Sequence, residues 1–441
     1  MPYLYSIRLT QNENISNMNE FKKTLGPWQG IAMTITTFVG TGLMVLPAMS
    51  VTEAGNFAFY SWLITVLIII PIAIVFALLG SRFPSSGGAS HYIGQAFGET
   101  AEKAVGWLFL SILLVGPSVA IKVCAYYLAI VLNLSGEWVL TLSVVTIIGL
   151  LLFGIIGIQT SAKIQTMIAV VMVMAVILLA FQGNIMASTE TIHTPLSIPE
   201  WQQALSAVSV VFWCFLGIEV MAHMGAEFKN PAKDFPIAML GGITVVVLTY
   251  LTLVLLISWH HTYGSEMQDS QSIALLVEKL MGLTASKWFS AGAFLISFAN
   301  TAIYILGFGR MVQALSNKKA MPSYFKTLNK YGSPGRGIVL VCAVCLLSTV
   351  ATEILNLELS WLIEMTNGTF LIIYLLATIA SWKLFNGKLK LLSCLSLSAC
   401  LVIAYQIGLG MLFAAVALTV AYLWEHFQST KLISASINSE V

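Results

Sequence analysis

Charge is what this sequence lacks. Only 9% of its 441 residues are Asp, Glu, Lys or Arg, 58% are hydrophobic, and mean hydropathy is +0.88. A soluble domain carries about 25% charged residues, so a water-facing surface cannot be built for a chain of this length. That excludes a soluble enzyme and a disordered scaffold, and a net charge of +2 excludes a nucleic-acid partner. Cysteine is scarce, and Cys124, Cys214, Cys342, Cys345, Cys394 and Cys400 all sit in apolar runs. Cys342 and Cys345 form an isolated CxxC with no second Cys or His pair nearby, which reads as small packing residues, not a metal or redox site. No cofactor is expected. No segment is long enough for a soluble domain, and residues 1–27 have no apolar h-region. With Arg8, Lys22 and Lys23 they read as a cytoplasmic segment rather than a cleaved leader.

What the sequence has is long apolar runs. A membrane-crossing helix needs about 20 apolar residues, so twelve need roughly 240, and 58% of 441 is about 256. The runs fall at 28–54, 58–80, 103–132, 138–157, 164–183, 201–226, 236–259, 287–312, 337–353, 361–382, 390–406 and 408–425, here called spans 1 to 12. The last two are separated only by residues 406–410 and also read as one re-entrant hairpin. With the N-terminus inside, 18 of the 21 Lys and Arg fall on the cytoplasmic side. Lys279 and Lys287 fall outside, and Lys122 lies within span 3. This asymmetry predicts cytoplasmic termini and supports the count, since one missed span would exchange the sides of everything after it. Residues 271–283 have helical apolar spacing and predict a short helix on the outer surface.

Two spans carry glycine at mid-depth. Span 1 reads TTFVGTGL over 36–43, with Gly40 and Gly42 flanking Thr41. The residues allow close helix packing. They equally allow a break whose freed N–H groups and half-helix dipole bind a carboxylate. Span 6 reads FWCFLGIE over 212–219, with Gly217 two residues before Glu219. A carboxylate at this depth costs several kcal/mol unless protonated, paired or solvated. It is either a hydrogen-bonded packing residue or a proton-coupling site, with His223 one turn on. Two such groups without a third do not make a zinc site. The breaks are five spans apart, and five is odd, so two five-helix halves would insert in opposite orientations. That is the mark of an inverted-repeat transporter with substrate at the midplane. Lys122 follows Gly116-Pro117-Ser118 and reads equally as a counter-ion, a proton carrier or a lysine reaching an outer vestibule. Glu53 and Glu364 fall at span ends and read as solvated caps.

The set GTG in span 1, PSSGGASHY after span 2, FLGIE in span 6, EFKNPAKDFP after it and MPSYF to GSP after span 8 resembles the amino acid–polyamine–organocation superfamily. In GWLFLSI, VFWCFLGIE and AHMGAEFKNP it is most similar to bacterial exporters of L-methionine and branched-chain amino acids. The resemblance covers spans 1 to 12. It implies an all-α integral membrane protein of about 12 helices, with a leucine-transporter-type 5+5 inverted repeat and broken helices 1 and 6. The halves would be 28–183 and 201–382, followed by two C-terminal helices at 390–425 and a cytoplasmic tail at 426–441.

It further implies that Gly40, Thr41 and Gly42 meet the substrate carboxylate, and that carbonyls near Trp213 and Cys214 meet its α-amino group. Trp213 would gate the outer side, Leu216 would line the side-chain pocket, and Tyr304 would stand at an inner aromatic gate. Glu219 matches the family's proton-sensing acid. Several proton-coupled members carry a lysine in span 5 where Met172 stands here, which leaves Glu219 and Lys122 as the proton-coupling candidates. Phe38, Cys214, Phe215 and Leu216 complete an uncharged pocket, because a charged side chain would need a buried partner. The expected function is secondary active transport of methionine, leucine, isoleucine and valine across the bacterial inner membrane, by export with proton antiport. Import or exchange on the same fold is the alternative. An intramembrane enzyme or a receptor is remote, since the spans hold no paired Asp or HExxH and no signalling domain follows. The expected partners are neutral L-amino acids, protons and the lipid bilayer, and the protein would be a monomer or homodimer.

Overall fold

Glycine and proline punctuate the apolar runs, and the helices begin and end where they do. The computed structural model describes residues 25–83, 88–157, 162–223 and 228–439. Span 1 is two helices, α1 (Pro27–Phe38) and α2 (Thr41–Ala54), followed by α3 (Ala58–Arg82). A short α4 (Gly88–Phe97) leads to span 3, formed by α5 (Glu99–Ser111) and α6 (Gly116–Leu132). Then come α7 (Val139–Ile156), α8 (Ala162–Gln182) and a single turn, α9 (Ile185–Ser188). Span 6 is in three pieces, α10 (Ile198–Ser206), α11 (Val208–Phe212) and α12 (Ile218–His223). The rest are continuous: α13 (Pro231–His260), α14 (Glu266–Met281), α15 (Leu283–Asn317), α16 (Gly335–Ile354), α17 (Leu359–Leu384), α18 (Lys388–Ile407) and α19 (Gly410–Ser439).

Nine helical stretches among the described residues are long and apolar enough to cross a membrane, and a tenth is the pair 166–182 and 185–191, bent by 82°. Spans 1 and 6 are the two expected crossings missing from that set. Each is interrupted near its middle, so neither presents one continuous helix of sufficient length. The 390–425 region is two separate helices, not a hairpin, and α19 runs on to Ser439 where a tail was expected after 425. Residues 88–92 of the PSSGGASHY motif form the start of α4, and 84–87 lie outside the described residues. The expected surface helix at 271–283 is α14, which starts earlier because Ser265 caps it by accepting the Gln268 N–H.

Spans 1 to 4 pack on their counterparts five places on, whereas span 5 lies against α1 and α13. α3 lies against α13, α6 against α15, α7 against α16, and the pieces of spans 1 and 6 against each other. The seam between α1 and α13 is built for close backbone approach. A Cβ on Gly30 would stand 2.5 Å from Ala238, and one on Gly242 would stand 2.4 Å from Thr34. The Thr34 hydroxyl donates to the Ala238 carbonyl across it at 3.2 Å. A parallel bridge between Leu25 and Phe228 extends the seam, with the Lys229 N–H donating to the Leu25 carbonyl at 2.9 Å.

In the loop between spans 7 and 8, α14 is pinned to α2 by a buried carboxylate. Asp269 accepts from the Thr52 hydroxyl at 2.9 and 3.0 Å and from the Gly264 N–H at 2.9 Å. Burial pushes the Asp269 carboxyl above its ordinary 3.8, and the nearby Glu53 and Glu266 charges add to this against those hydrogen bonds. A carboxyl whose folded value is raised contributes stability that is complete below the unfolded value and is lost as pH rises through the folded one. The melting temperature of the purified protein should therefore fall less between about pH 4 and about pH 7 in Asp269→Asn than in the wild type, because the amide does not ionise. Identical pH profiles would remove Asp269 as the cause.

Candidate functional site

The span 1 break is a short stretch of non-helical backbone. Val39 closes α1 with φ −97° and ψ 29°, and Gly40 opens α2 with φ −71° and ψ −132°. The first N–H groups of α2 therefore have no helical carbonyl behind them. The Phe38 carbonyl, freed at the end of α1, accepts from the Tyr250 hydroxyl of α13 at 2.9 Å. Tyr250 is in turn stacked on Trp62, with centroids 4.5 Å apart, and Trp62 donates to the Ser50 hydroxyl at 2.9 Å.

The span 6 break has a different form. Residues Trp213–Phe215 make one 3-10 turn, Leu216 is extended, and Gly217 has φ +118°. Only glycine takes that conformation without strain. A Cβ there would also stand 2.6 Å from the Thr37 methyl, so the two breaks touch at this point. In a 3-10 turn, residues three apart eclipse. Trp213 and Leu216 accordingly share one face, which lines a cavity, while Cys214 and Phe215 point behind it and are buried. Phe215 still touches the site indirectly, with its ring 6.3 Å from that of Phe38.

The cavity is open to solvent, and about 650 Å³ of space lies within its walls and mouth together. It lies where spans 1, 3, 6, 8 and 10 meet. Of the expected substrate residues, Phe38, Gly40, Thr41, Gly42, Trp213, Leu216 and Tyr304 line it. Thr301, Phe308, Thr366 and Phe370 line it too, as does Asn300, and the sequence reading passed over all five. Asn300 had a signal: it is an amide at mid-depth in an apolar run, a costly placement that marks function by default. No lining residue is Asp, Glu, Lys, Arg or His.

Glu219 sits one layer behind the cavity, 2% exposed. Its Oε2 accepts from the Gly217 N–H at 3.1 Å and from the Tyr374 hydroxyl of α17, while Oε1 has no partner. Tyr374 is held by Phe76 and Phe212, with ring centroids at 5.0 and 5.9 Å. The side chain of His223 lies outside the described residues. Lys122 is not in the cavity. Its Nζ is 3.1 Å from Oε2 of Glu353, a residue of α16, so of its three sequence readings the geometry displays the counter-ion.

A helical membrane protein with two broken spans crossing at a charge-free cavity is built to hold and pass a small solute, and it belongs to the class of membrane carriers. Residues 25–431 match the amino acid permease family. The chain is 34% identical over 410 residues to the L-methionine/branched-chain amino acid exporter YjeH of Escherichia coli (strain K12), covering 92% of this chain and 96% of the relative. It is 26% identical, with the same coverage, to YecA, an uncharacterized amino acid permease of Bacillus subtilis (strain 168). It is 24% identical over 316 residues to the serine/threonine exchanger SteT of the same organism, covering 69% of this chain and 70% of the relative. The chain belongs to the amino acid permease family, within the amino acid–polyamine–organocation superfamily. It is an amino-acid transporter of a membrane and not an enzyme.

A side chain at Gly40 has no room, because its Cβ would lie 2.3 to 2.5 Å from three atoms of the Asn300 amide. Gly40→Val should reduce transport to background while the protein still inserts and reaches the membrane in wild-type amount. Normal flux in this variant would show that the break is not required.

Proposed function

We propose that the protein exports neutral apolar L-amino acids, namely methionine, leucine, isoleucine and valine, across the bacterial inner membrane by proton antiport with alternating access. One observation supports this above the others: the cavity at the crossing of the two breaks has no charged lining residue. A zwitterion's two charges can be met there by backbone dipoles, whereas a cationic or dicarboxylic side chain would be buried without a partner. The exporter among the relatives supports the same substrate class.

In this reading the N–H groups at Gly40, Thr41 and Gly42 take the carboxylate. Carbonyls at Trp213 and Cys214 take the ammonium group. Phe38 and Leu216 receive the apolar side chain, with Phe215 backing Phe38. Trp213 closes the outer side and Tyr304 the inner one. The halves 28–183 and 201–382 are the inverted repeats, both termini are cytoplasmic, and the chain works as a monomer or homodimer.

Glu219 carries the proton. It is bound to the span 6 break through Gly217 and to span 10 through Tyr374, so its protonation acts on the element that must move. Lys122 is committed to Glu353 instead.

The test is efflux from cells preloaded with labelled methionine or leucine, with and without the protein. Export predicts faster efflux that slows when the proton gradient is collapsed. Unchanged efflux with faster uptake would reverse the direction to import or exchange, the activity printed for the serine/threonine relative. Glu219→Gln keeps an acceptor for Gly217 and Tyr374 but cannot ionise. In liposomes it should bind methionine normally and lose most of the pH dependence of flux. A wild-type pH profile in that variant would remove Glu219 from the coupling.

A further inference from the structure

We infer that Asn300 of span 8 is a ligand of the substrate's carboxylate, completing the anion site that the span 1 break begins. This rests on the reading of the cavity as an amino-acid site.

Three of the seven polar side chains that line the cavity are already satisfied by their own helices. Thr37 donates to the Met33 carbonyl at 2.8 Å, Thr301 to Ser297 at 2.8 Å and Thr366 to Leu362 at 2.8 Å. Four are not. Thr41, Trp213, Asn300 and Tyr304 make no hydrogen bond to any described protein group, and all four line the cavity. Thr41 and Trp213 belong to the breaks, where a ligand is expected on backbone grounds alone. Asn300 and Tyr304 belong to the continuous helix α15. Asn300 lies mid-way along it, where an uncommitted amide is costly without a function.

Its position defines what it binds. The whole carboxamide lies over the Cα of Gly40, with Cγ, Oδ1 and Nδ2 each within 2.5 Å of where a Cβ would be. The missing side chain of Gly40 is thus the space that Asn300 occupies. Gly40 is the residue that opens α2, so the amide sits beside the N–H groups of Thr41 and Gly42. Any anion held by those groups is within reach of the Asn300 NH₂. With no Lys, Arg or His in the lining, a carboxylate here depends on neutral donors, and a side-chain amide offers two N–H groups. One turn further along the same face, the Tyr304 hydroxyl lies 3.6 Å from where a Gly217 Cβ would be. Span 8 therefore presents one polar group to each break.

The assignment separates the carboxylate from the ammonium as the partner of Asn300. Binding of L-methionine and of L-methioninamide, which lacks the carboxylate charge, would be measured by titration calorimetry on the purified full-length protein. Asn300→Ala should weaken L-methionine binding roughly tenfold or more, the scale of a lost hydrogen bond to a charged group. Its ligand-free melting temperature should match the wild type, because Asn300 bonds no protein group. Asn300→Asp is nearly isosteric and guards against a packing effect of the alanine. It should reject L-methionine more strongly than Asn300→Ala does, and recover part of the loss with L-methioninamide.

If the wild type binds L-methionine and Asn300→Ala binds it equally well, Asn300 is a hydrated bystander and the inference falls while the transporter reading stands. If Asn300→Asp binds L-methionine as tightly as the wild type, the amide faces the ammonium and the inference also falls. If the wild type binds no neutral amino acid, the reading of the cavity fails and takes this inference with it.

Discussion

An interrupted helix in a bilayer exposes backbone groups that lipid cannot satisfy, and this fold is organised around meeting that need twice. Each unsatisfied group costs several kcal/mol in hydrocarbon. At the end of α1 the freed Phe38 carbonyl is taken by Tyr250, which is braced by Trp62 and, through it, Ser50. At the start of α12 the Gly217 N–H is taken by the carboxylate of Glu219. The two solutions differ in kind. The first is a neutral hydroxyl on a continuous helix and is indifferent to pH. The second is an ionisable group that is itself anchored by Tyr374, so the cost of that break depends on a proton.

What these partners leave over is the cavity. The N–H groups opening α2 and the side chains of Thr41, Trp213, Asn300 and Tyr304 are the polar groups around it not used up in holding the fold. They converge where Gly217 meets Thr37, the contact that a side chain on the glycine would prevent. A solute placed in the cavity would lie against both breaks at once. On one side of this region is a seam of close backbone approach, where Gly30 and Gly242 place α1 directly on α13. The irregular backbone is confined between elements that are packed tightly.

Much of this was legible in the residues, for identifiable reasons. The charge asymmetry of the loops and the length of the apolar runs are forced by the bilayer, so the helices could be read one by one. Gly40 and Gly217 were legible because the two glycine interruptions fall at mid-depth five spans apart, and Glu219 because a buried carboxylate is expensive. Facing was not legible. Whether Cys214 and Phe215 enter the cavity depends on one 3-10 turn, which places Trp213 and Leu216 together and turns those two away. An α-helical reading of 212–219 has no means of showing that. Partners distant in sequence were equally hidden: Tyr250, Tyr374 and Glu353 are ordinary residues in their own runs, and only the folded chain brings them to Phe38, Glu219 and Lys122.

The pairing of Lys122 with Glu353 is a tie between two helices. Its Nζ lies 3.1 Å from a half-exposed carboxylate near the end of α16, which joins span 3 to span 9. The same two helices are joined next to it by the Ser118–Ser348 contact at 2.7 Å, and the Ser348 hydroxyl reaches the Leu114 carbonyl at 2.7 Å. Span 3 thus gives the cavity apolar surface, at Ile112, Gly116, Pro117 and Ala120. Its one charge is spent outside the site, where it fixes the wall against which the broken spans work. On the proposed mechanism, with Lys122 paired to Glu353 and Met172 buried in span 5, Glu219 would act behind the span 6 break with no cationic side chain among the residues lining the cavity.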